Sequence, residues 1–245
     1  MANTLQAVLF DLDGTLMDHD AARVAGLQAH LAQWLGDAEE GELARLDEQW
    51  RRLEARHYDE YAAGRCSMQE QRRRRVRGLH EALGRALDSD VAADEWFAAY
   101  LEHYRAAWRA FEDAIPALDA LVAVNPEIKL AVVTNGEGEP QRAKLAAIGL
   151  AERFPLVVAS GEVGTAKPDP AIFALACERL GVERAHAAHV GDRLDLDAQG
   201  AAAAGLRGVW LDRPGAASAS APAPAQATGI ATISTLHELS TALGA

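Results

Sequence analysis

From Leu130 onward the chain alternates short apolar runs with stretches of helical periodicity, and no other feature restricts its fold as much. "KLAVVTN", ending at Asn135, precedes the helix-like "EPQRAKLAAIGL"; "FPLVVAS" precedes "PDPAIFALACERLGV"; "HAAHVGD" precedes "DAQGAAAAGL"; "GVWL" follows. This alternation predicts βαβ units and a parallel sheet, to which "AVLFD" near the start adds another strand. In open sheets of this kind, ligands bind beyond the carboxyl ends of the strands, where strand order reverses. Polar residues just past the apolar runs are therefore the candidates for a site.

Between Asp18 and Phe111 the pattern is helical throughout. Leu43, Leu46, Trp50, Leu53, His57 and Tyr61 recur at spacings of three and four, as do Trp96, Tyr100, Tyr104 and Trp108. Such stripes bury one helix face. Ser67 and Glu70 are spaced as a capping box, and Asp90 is placed to cap a later helix. The expected organisation is a doubly wound parallel α/β core from residues 1–17 and 112–245, with an all-helical domain, 18–111, inserted after the first strand. Residues 213–229, rich in Ala, Pro and Ser, read as a surface loop within the core, because they exceed the ~12–15 residues of ordinary structureless loops. "IATIS" and "TLHELSTALG" read as a closing strand and helix.

The formal net charge of −12 excludes a general nucleic-acid binder, which needs a basic face to displace counterions. The run Arg72 to Arg75 does not change this, since four consecutive helical positions point all round the helix, and acids are abundant enough to pair with them. No apolar stretch is long enough to cross a bilayer. "MANTLQAVLF" lacks a signal peptide's basic and apolar regions, so a cytoplasmic location is expected. Cys66 and Cys177 have no metal-ligand spacing around them and read as reduced, structural thiols.

Four groups of polar residues fall just past predicted strands: Asp11 and Asp13; Thr134 and Asn135; Lys167; and Asp192, Asp195 and Asp197. Positions i and i+2 of extended chain point the same way, about 6–7 Å apart. Asp11 and Asp13 are thus expected to face one pocket together with Asp192. Clustered carboxylates need a counter-charge, and Mg²⁺, which takes one or two carboxylates and keeps positions for water and phosphate oxygens, supplies it. Lys167 offers a second positive charge. Thr134 offers a hydroxyl, and Asn135 and Gly136 offer backbone N–H groups near a helix start, where anions are favoured. Together these residues make a phosphoryl-transfer site for a small phosphorylated molecule.

"DLDGT" at Asp11, "VVTNG" ending at Gly136, "KPDP" from Lys167 and "GDRLDLD" from Gly191 resemble the four ordered motifs of the haloacid dehalogenase-like hydrolase superfamily, and the helical insertion resembles its C1 cap. That resemblance implies a Rossmann-like core and a phosphatase chemistry. By position, Asp11 would be the nucleophile that forms a phosphoaspartate. Asp13 would protonate the leaving alcohol and then activate water. Thr134 and Asn135 would hold the transferring phosphoryl group, and Lys167 would orient Asp11. Asp192 would bind Mg²⁺ alongside Asp11 and the Asp13 main-chain carbonyl, with Asp197 supporting the metal or Lys167. Relatives often carry Asn or Ser within the span that Arg193 to Leu196 occupy, and Asp195 has no assigned role.

The expected function is a Mg²⁺-dependent phosphomonoester hydrolase. A 2-haloacid dehalogenase would lack the second aspartate, and a phosphosugar mutase would share the core. A phospho-acceptor receiver module carries adjacent acids after its first strand and no large helical insertion. His189 reads as a satisfied strand histidine. Arg65, in "AAGRCS" between two predicted helices, is a candidate for substrate recognition, since a cap of this kind reads the leaving group.

Overall fold

In the computed structural model, which describes residues 5–35, 40–87, 89–214 and 230–244, the apolar runs pair into one parallel six-stranded sheet. Its strands are β1 (Ala7–Phe10), β2 (Lys129–Thr134), β3 (Leu156–Ala159), β4 (Ala187–Gly191), β5 (Arg207–Leu211) and β6 (Ala231–Ile233), in the order β3-β2-β1-β4-β5-β6. The helices, in chain order, are α1 (His19–Leu35), α2 (Glu40–Ala62), α3 (Met68–Ala82), α4 (Asp90–Ala106), α5 (Ala114–Val124), α6 (Gly138–Ala147), α7 (Ser160–Val163), α8 (Pro170–Leu180), α9 (Gly200–Ala203) and α10 (Leu239–Leu243). β1 and β4 are buried along their whole length, which is why they read as unbroken apolar runs rather than alternating ones. Leu9, Ala131 and Val133 from the sheet meet Ile172, Phe173 and Ala176 of α8 in one core cluster. Asp169 caps α8 by accepting from the Ala171 N–H at 2.9 Å, and Pro170 occupies its first position, where a missing N–H does no harm.

The chain divides into two compact units, residues 1–20 with 108–245, which hold the sheet, and residues 21–107, which are helical. In the helical unit Leu46, Trp50, Leu53 and His57 of α2 are buried, as are Trp96, Phe97, Tyr100 and Tyr104 of α4. Trp50 meets the Tyr100 ring edge-on at 5.0 Å between centroids. The arginine run of α3 is taken up within this unit. Arg73 binds Asp94 and Asp90, Arg74 binds Glu70 and Glu60, and Arg75 pairs with Glu54 while lying over Trp50. Arg72 lies over Phe97.

Two caps differ from expectation. α4 is capped by Ser89, whose hydroxyl accepts from the Ala92 N–H, and Asp90 is instead the first helical residue, where its charge favours the helix dipole and meets Arg73. Ser67 caps α3 through the Glu70 N–H, but the Glu70 carboxylate turns to Arg74 one turn on, so only half of a capping box forms. Residues 215–229, most of the expected loop, lie outside the described residues. Among those described, no helix is long and apolar enough to cross a membrane. Cys66 and Cys177 are both free.

A test of the helical unit's packing follows from His30, whose ring lies edge-on against Trp96 at 4.4 Å. Burial, then His103 and His80, pushes His30 down to about 4, and burial with Arg85 also lowers His80. In an unfolded chain both titrate near 6.5. On acidification the unfolded chain therefore takes up protons that the folded unit refuses. Stability complete above about pH 6.5 should fall as the pH drops towards 4, by on the order of 1–2 kcal/mol at about pH 5. Thermal melts followed by tryptophan fluorescence at neutral and acid pH check this; an unchanged midpoint contradicts it.

Candidate active site at the strand ends

β1 is paired with β2 on one side and β4 on the other, in a register that sets Phe10 beside both Val132 and Val190. Strand order reverses here, and the residues just past these three ends converge as parallel-sheet topology requires. Asp11 follows β1, Thr134 closes β2 and Asp192 follows β4. Lys167 comes from the segment between α7 and α8, and Asp197 from a turn of π-helix, Leu194–Gln199. The Lys167–Pro168 peptide bond is cis.

Lys167 is the hub. Its side chain is 2 % exposed, and Nζ donates to Asp11 Oδ1 and to Asp197 Oδ1, each at 2.6 Å. Its main chain is fixed by Asn135, whose side-chain amide both donates to the Lys167 carbonyl (2.8 Å) and accepts from the Lys167 N–H (2.7 Å). Asn135 thus uses this amide to hold the lysine segment. The neighbouring Gly136 N–H has no partner among the described residues. Asp197 is engaged at both oxygens, by Lys167 and His189 (3.0 Å) at Oδ1 and by the Arg193 N–H (3.0 Å) at Oδ2. Burial holds His189 below its ordinary range, hence neutral, and burial would raise Asp197 were it not outweighed by Lys167 and His189. Asp195 is turned to solvent against Arg193.

Carboxylate oxygens of Asp11, Asp192 and Asp197 lie within 4.8 Å of one another. Burial pushes Asp11 up to about 6 against the pull of Lys167, with Asp197 and Asp13 adding to the rise. Burial, then Asp11 and Asp197, raises Asp192 well above the usual carboxylate range. One lysine does not neutralise three acids, two of them buried and the third half-buried. A hard divalent cation fits this deficit, and the donors are all oxygens, as Mg²⁺ prefers. Gly14 closes the turn beneath: its φ is +87°, and a Cβ there would fall 2.6 Å from Asp192 Oδ2, so only glycine allows the close approach. Thr15 Oγ1 accepts from the Asp192 N–H, and the Thr15 carbonyl accepts from Arg213, which also grips Asp113 with two hydrogen bonds.

Asp13 is placed differently from the extended-chain expectation. β1 stops at Phe10, and Thr15, Leu16 and Met17 all donate to the Leu12 carbonyl, so Asp13 lies within a turn and not in extended chain. Its carboxylate is held by side chains of α6, while its charge still adds to the rise of Asp11. There Lys144 Nζ donates to both oxygens at 2.7 Å, and Gln141 Nε2 donates to Oδ2 at 3.1 Å and to Thr134 Oγ1 at 2.7 Å. Burial alone would raise Asp13, but Lys144, His19 and the hydrogen bonds from Lys144 and Gln141 outweigh it and hold the carboxyl below its ordinary range. The Asp13 main-chain carbonyl accepts no hydrogen bond among the described residues. Arg65 belongs to the helical unit, in the exposed turn between α2 and α3, where its N–H donates to the Glu60 carbonyl.

Sequence reasoning missed Lys144, Gln141, Thr15 and Arg213. Thr15 closes the "DLDGT" motif but has no role expected of it there, and Lys144 and Gln141 left a trace as polar residues three apart in the first turns of a helix that follows a site-bearing strand.

The Thermus thermophilus phosphoserine phosphatase is 50 % identical over 86 residues, 35 % of this chain and 34 % of that protein, so the chain matches about a third of that relative's length. The ribulose-1,5-bisphosphate 5-phosphatase of Halopiger xanaduensis is 34 % identical over 211 residues, covering 84 % of each. A solved structure of the 2-haloacid dehalogenase from Pseudomonas syringae superposes with a TM-score of 0.63 at 30 % identity, covering 98 % of this chain and 99 % of that one. The family model of the haloacid dehalogenase-like hydrolases matches residues 5–205. That span takes in the ends of β1, β2 and β4 and every residue of the strand-end cluster, and the chain belongs to this family of hydrolases.

Proposed function

We propose that the chain is a Mg²⁺-dependent phosphomonoester hydrolase that acts on a small phosphorylated metabolite through an aspartyl phosphate on Asp11. The observation that carries this reading is the state of Asp11: Lys167 pins Oδ1, while Oδ2 has no protein partner among the described residues, and an oxygen of this carboxylate lies within 4.8 Å of one from Asp192. A carboxylate held by one oxygen and open at the other suits nucleophilic attack. Asp11 and Asp192, with the Asp13 carbonyl and Asp197 behind them, would hold the ion, which when bound supplies positive charge to the phosphoryl oxygens.

The first half-reaction starts with Asp13 protonated, against the pull of Lys144: Asp11 Oδ2 bonds to phosphorus, the bond to the leaving oxygen breaks, and Asp13 gives that oxygen its proton. In the second, Asp13 takes a proton from water as the water oxygen attacks phosphorus, inorganic phosphate departs, and Asp11 is restored. Thr134 Oγ1 and the Asn135 and Gly136 N–H groups support the transferring phosphoryl group. Lys167 keeps Asp11 oriented and offsets its charge. The helical unit serves as the cap that selects the substrate, with Arg65 among its recognition residues.

Relatives with phosphatase names, one acting on ribulose-1,5-bisphosphate and one on phosphoserine, support a phosphate ester as substrate. The dehalogenase likeness supplies a second reading. Asp13 weighs against it, since a departing halide needs no proton, whereas an alkoxide does. A phosphosugar mutase would return a phosphorylated product, which a product assay distinguishes, and the large helical insertion tells against a receiver module. Phosphate release from 4-nitrophenyl phosphate should require Mg²⁺, stop with a chelator and resume when Mg²⁺ is restored. Release that is indifferent to the chelator, or chloride release from a 2-chloro acid in place of phosphate release, would defeat the reading.

A further inference from the structure

The hydrolase reading uses Asp13 but leaves Lys144 and Gln141 without a part. Their arrangement is unlike an ordinary surface ion pair. Lys144 Nζ reaches both Asp13 oxygens across 131 positions of sequence, with its side chain 11 % exposed. Gln141, buried, has one amide nitrogen shared between Asp13 Oδ2 and Thr134 Oγ1. Its Oε1 is buried with no hydrogen-bond partner, an arrangement that proteins seldom keep without a use. Gly136 leaves room for this amide, since a Cβ there would come 2.7 Å from Gln141 Nε2.

We propose that Lys144 and Gln141 are positioning residues that fix the Asp13 carboxylate for proton transfer, so that α6, and not the end of β1 alone, sets the acid–base geometry; this rests on the hydrolase reading above. The four acids divide by charge. Asp11 and Asp197 share Lys167 and, with Asp192, retain a negative excess for a cation, whereas Asp13 is matched by Lys144, with His19 Nδ1 3.9 Å from its Oδ1. Without Lys144, Asp13 would be a fourth anion repelled by Asp11 and left to Gln141 at Oδ2 and to His19, 3.9 Å from Oδ1. Gln141 couples the same carboxylate to Thr134, so the acid–base group and a phosphoryl-holding hydroxyl keep one fixed spacing. Proton transfer depends steeply on such spacing.

The test compares kcat/KM for an alkyl ester, glycerol 2-phosphate, with that for an aryl ester, 4-nitrophenyl phosphate, both with Mg²⁺. The aryl leaving group departs without a proton, and the alkyl one needs Asp13. In Lys144→Met the alkyl-to-aryl ratio of kcat/KM should fall about 10–100-fold, a fraction of the usual general-acid effect. In an Asp13→Asn background the same substitution should change the ratio less than about twofold, because residues acting as one unit are not additive. If Lys144→Met fails to fold by circular dichroism, Lys144→Gln, of similar length and still a donor but uncharged, is held to the same ratio. Equal losses on both esters, an unchanged ratio or a full further loss in the double variant would overturn the proposal while leaving the hydrolase reading intact. A wild-type chain that cleaves neither ester would overturn both.

Discussion

Asp11→Asn is expected to lower phosphomonoester hydrolysis by about 10⁴-fold or more, the scale on which loss of a covalent nucleophile is felt, while leaving the fold intact. The substitution preserves shape and replaces an oxygen that accepts from Lys167 by an amide whose oxygen still accepts. What it removes is a charge that burial already opposes: Asp11 is raised to about 6 and in turn helps to raise Asp192. Lys167 keeps Asp197 at 2.6 Å, so no buried cation is stranded. Melting in the presence of a chelator should therefore be unchanged or higher than in the wild type, and activity should be gone. Activity within tenfold of wild type would remove Asp11 as the nucleophile, and a collapsed melting temperature would show that the carboxylate is structural before it is chemical.

This pairing of lost activity with retained stability also separates what the sequence reveals from what it hides. The strands were legible because β1, β2 and β4 are buried on both faces and so read as short apolar runs bounded by polar residues. The site residues were legible for a topological reason: Asp11, Thr134 and Asp192 stand immediately past those runs, and a parallel sheet brings such positions together whatever the details. The arginine run was legible as a paired face because α2, α3 and α4 carry acids at matching spacings. Side-chain destinations were not legible. Asp13 follows a strand by three residues, yet whether extended geometry persists that far is decided by the turn that folds on the Leu12 carbonyl and by Gly14. Asn135 has the same sequence neighbours whether its amide holds phosphate or the Lys167 backbone, and only the distance between two loops chooses. Lys144 and Gln141 sit on a helix that has a solvent face as well, and nothing local marks which polar positions turn back to the sheet. The Arg213 to Asp113 pair spans 100 positions and has no local signal at all.

Lys167→Met should destabilise the chain by about 3 kcal/mol or more in the absence of metal, because removing one partner of a buried ion cluster leaves carboxylates facing each other without compensation. For a chain of this length that corresponds to a melting temperature lower by roughly 5–10 °C. The methionine fills nearly the same volume, so the loss reports charge and not packing. Burial alone would lower the lysine's affinity for its proton, yet Asp11 and Asp197 more than reverse this and hold it charged. The variant thus loses a cation that the cluster binds strongly. A divalent ion is the one other source of positive charge that the arrangement of Asp11, Asp192 and Asp197 suits. Added Mg²⁺ should therefore raise the variant's melting temperature by more than it raises that of the wild type, since ligand binding stabilises in proportion to its affinity for the folded state. Hydrolysis should still be lower by about 10²–10³-fold, as Asp11 is no longer oriented and the phosphoryl group has lost a nearby cation. If the variant melts like the wild type in chelator and responds to Mg²⁺ no more than the wild type does, then the three acids are not electrostatically coupled through Lys167, and the strand-end cluster does not act as one site.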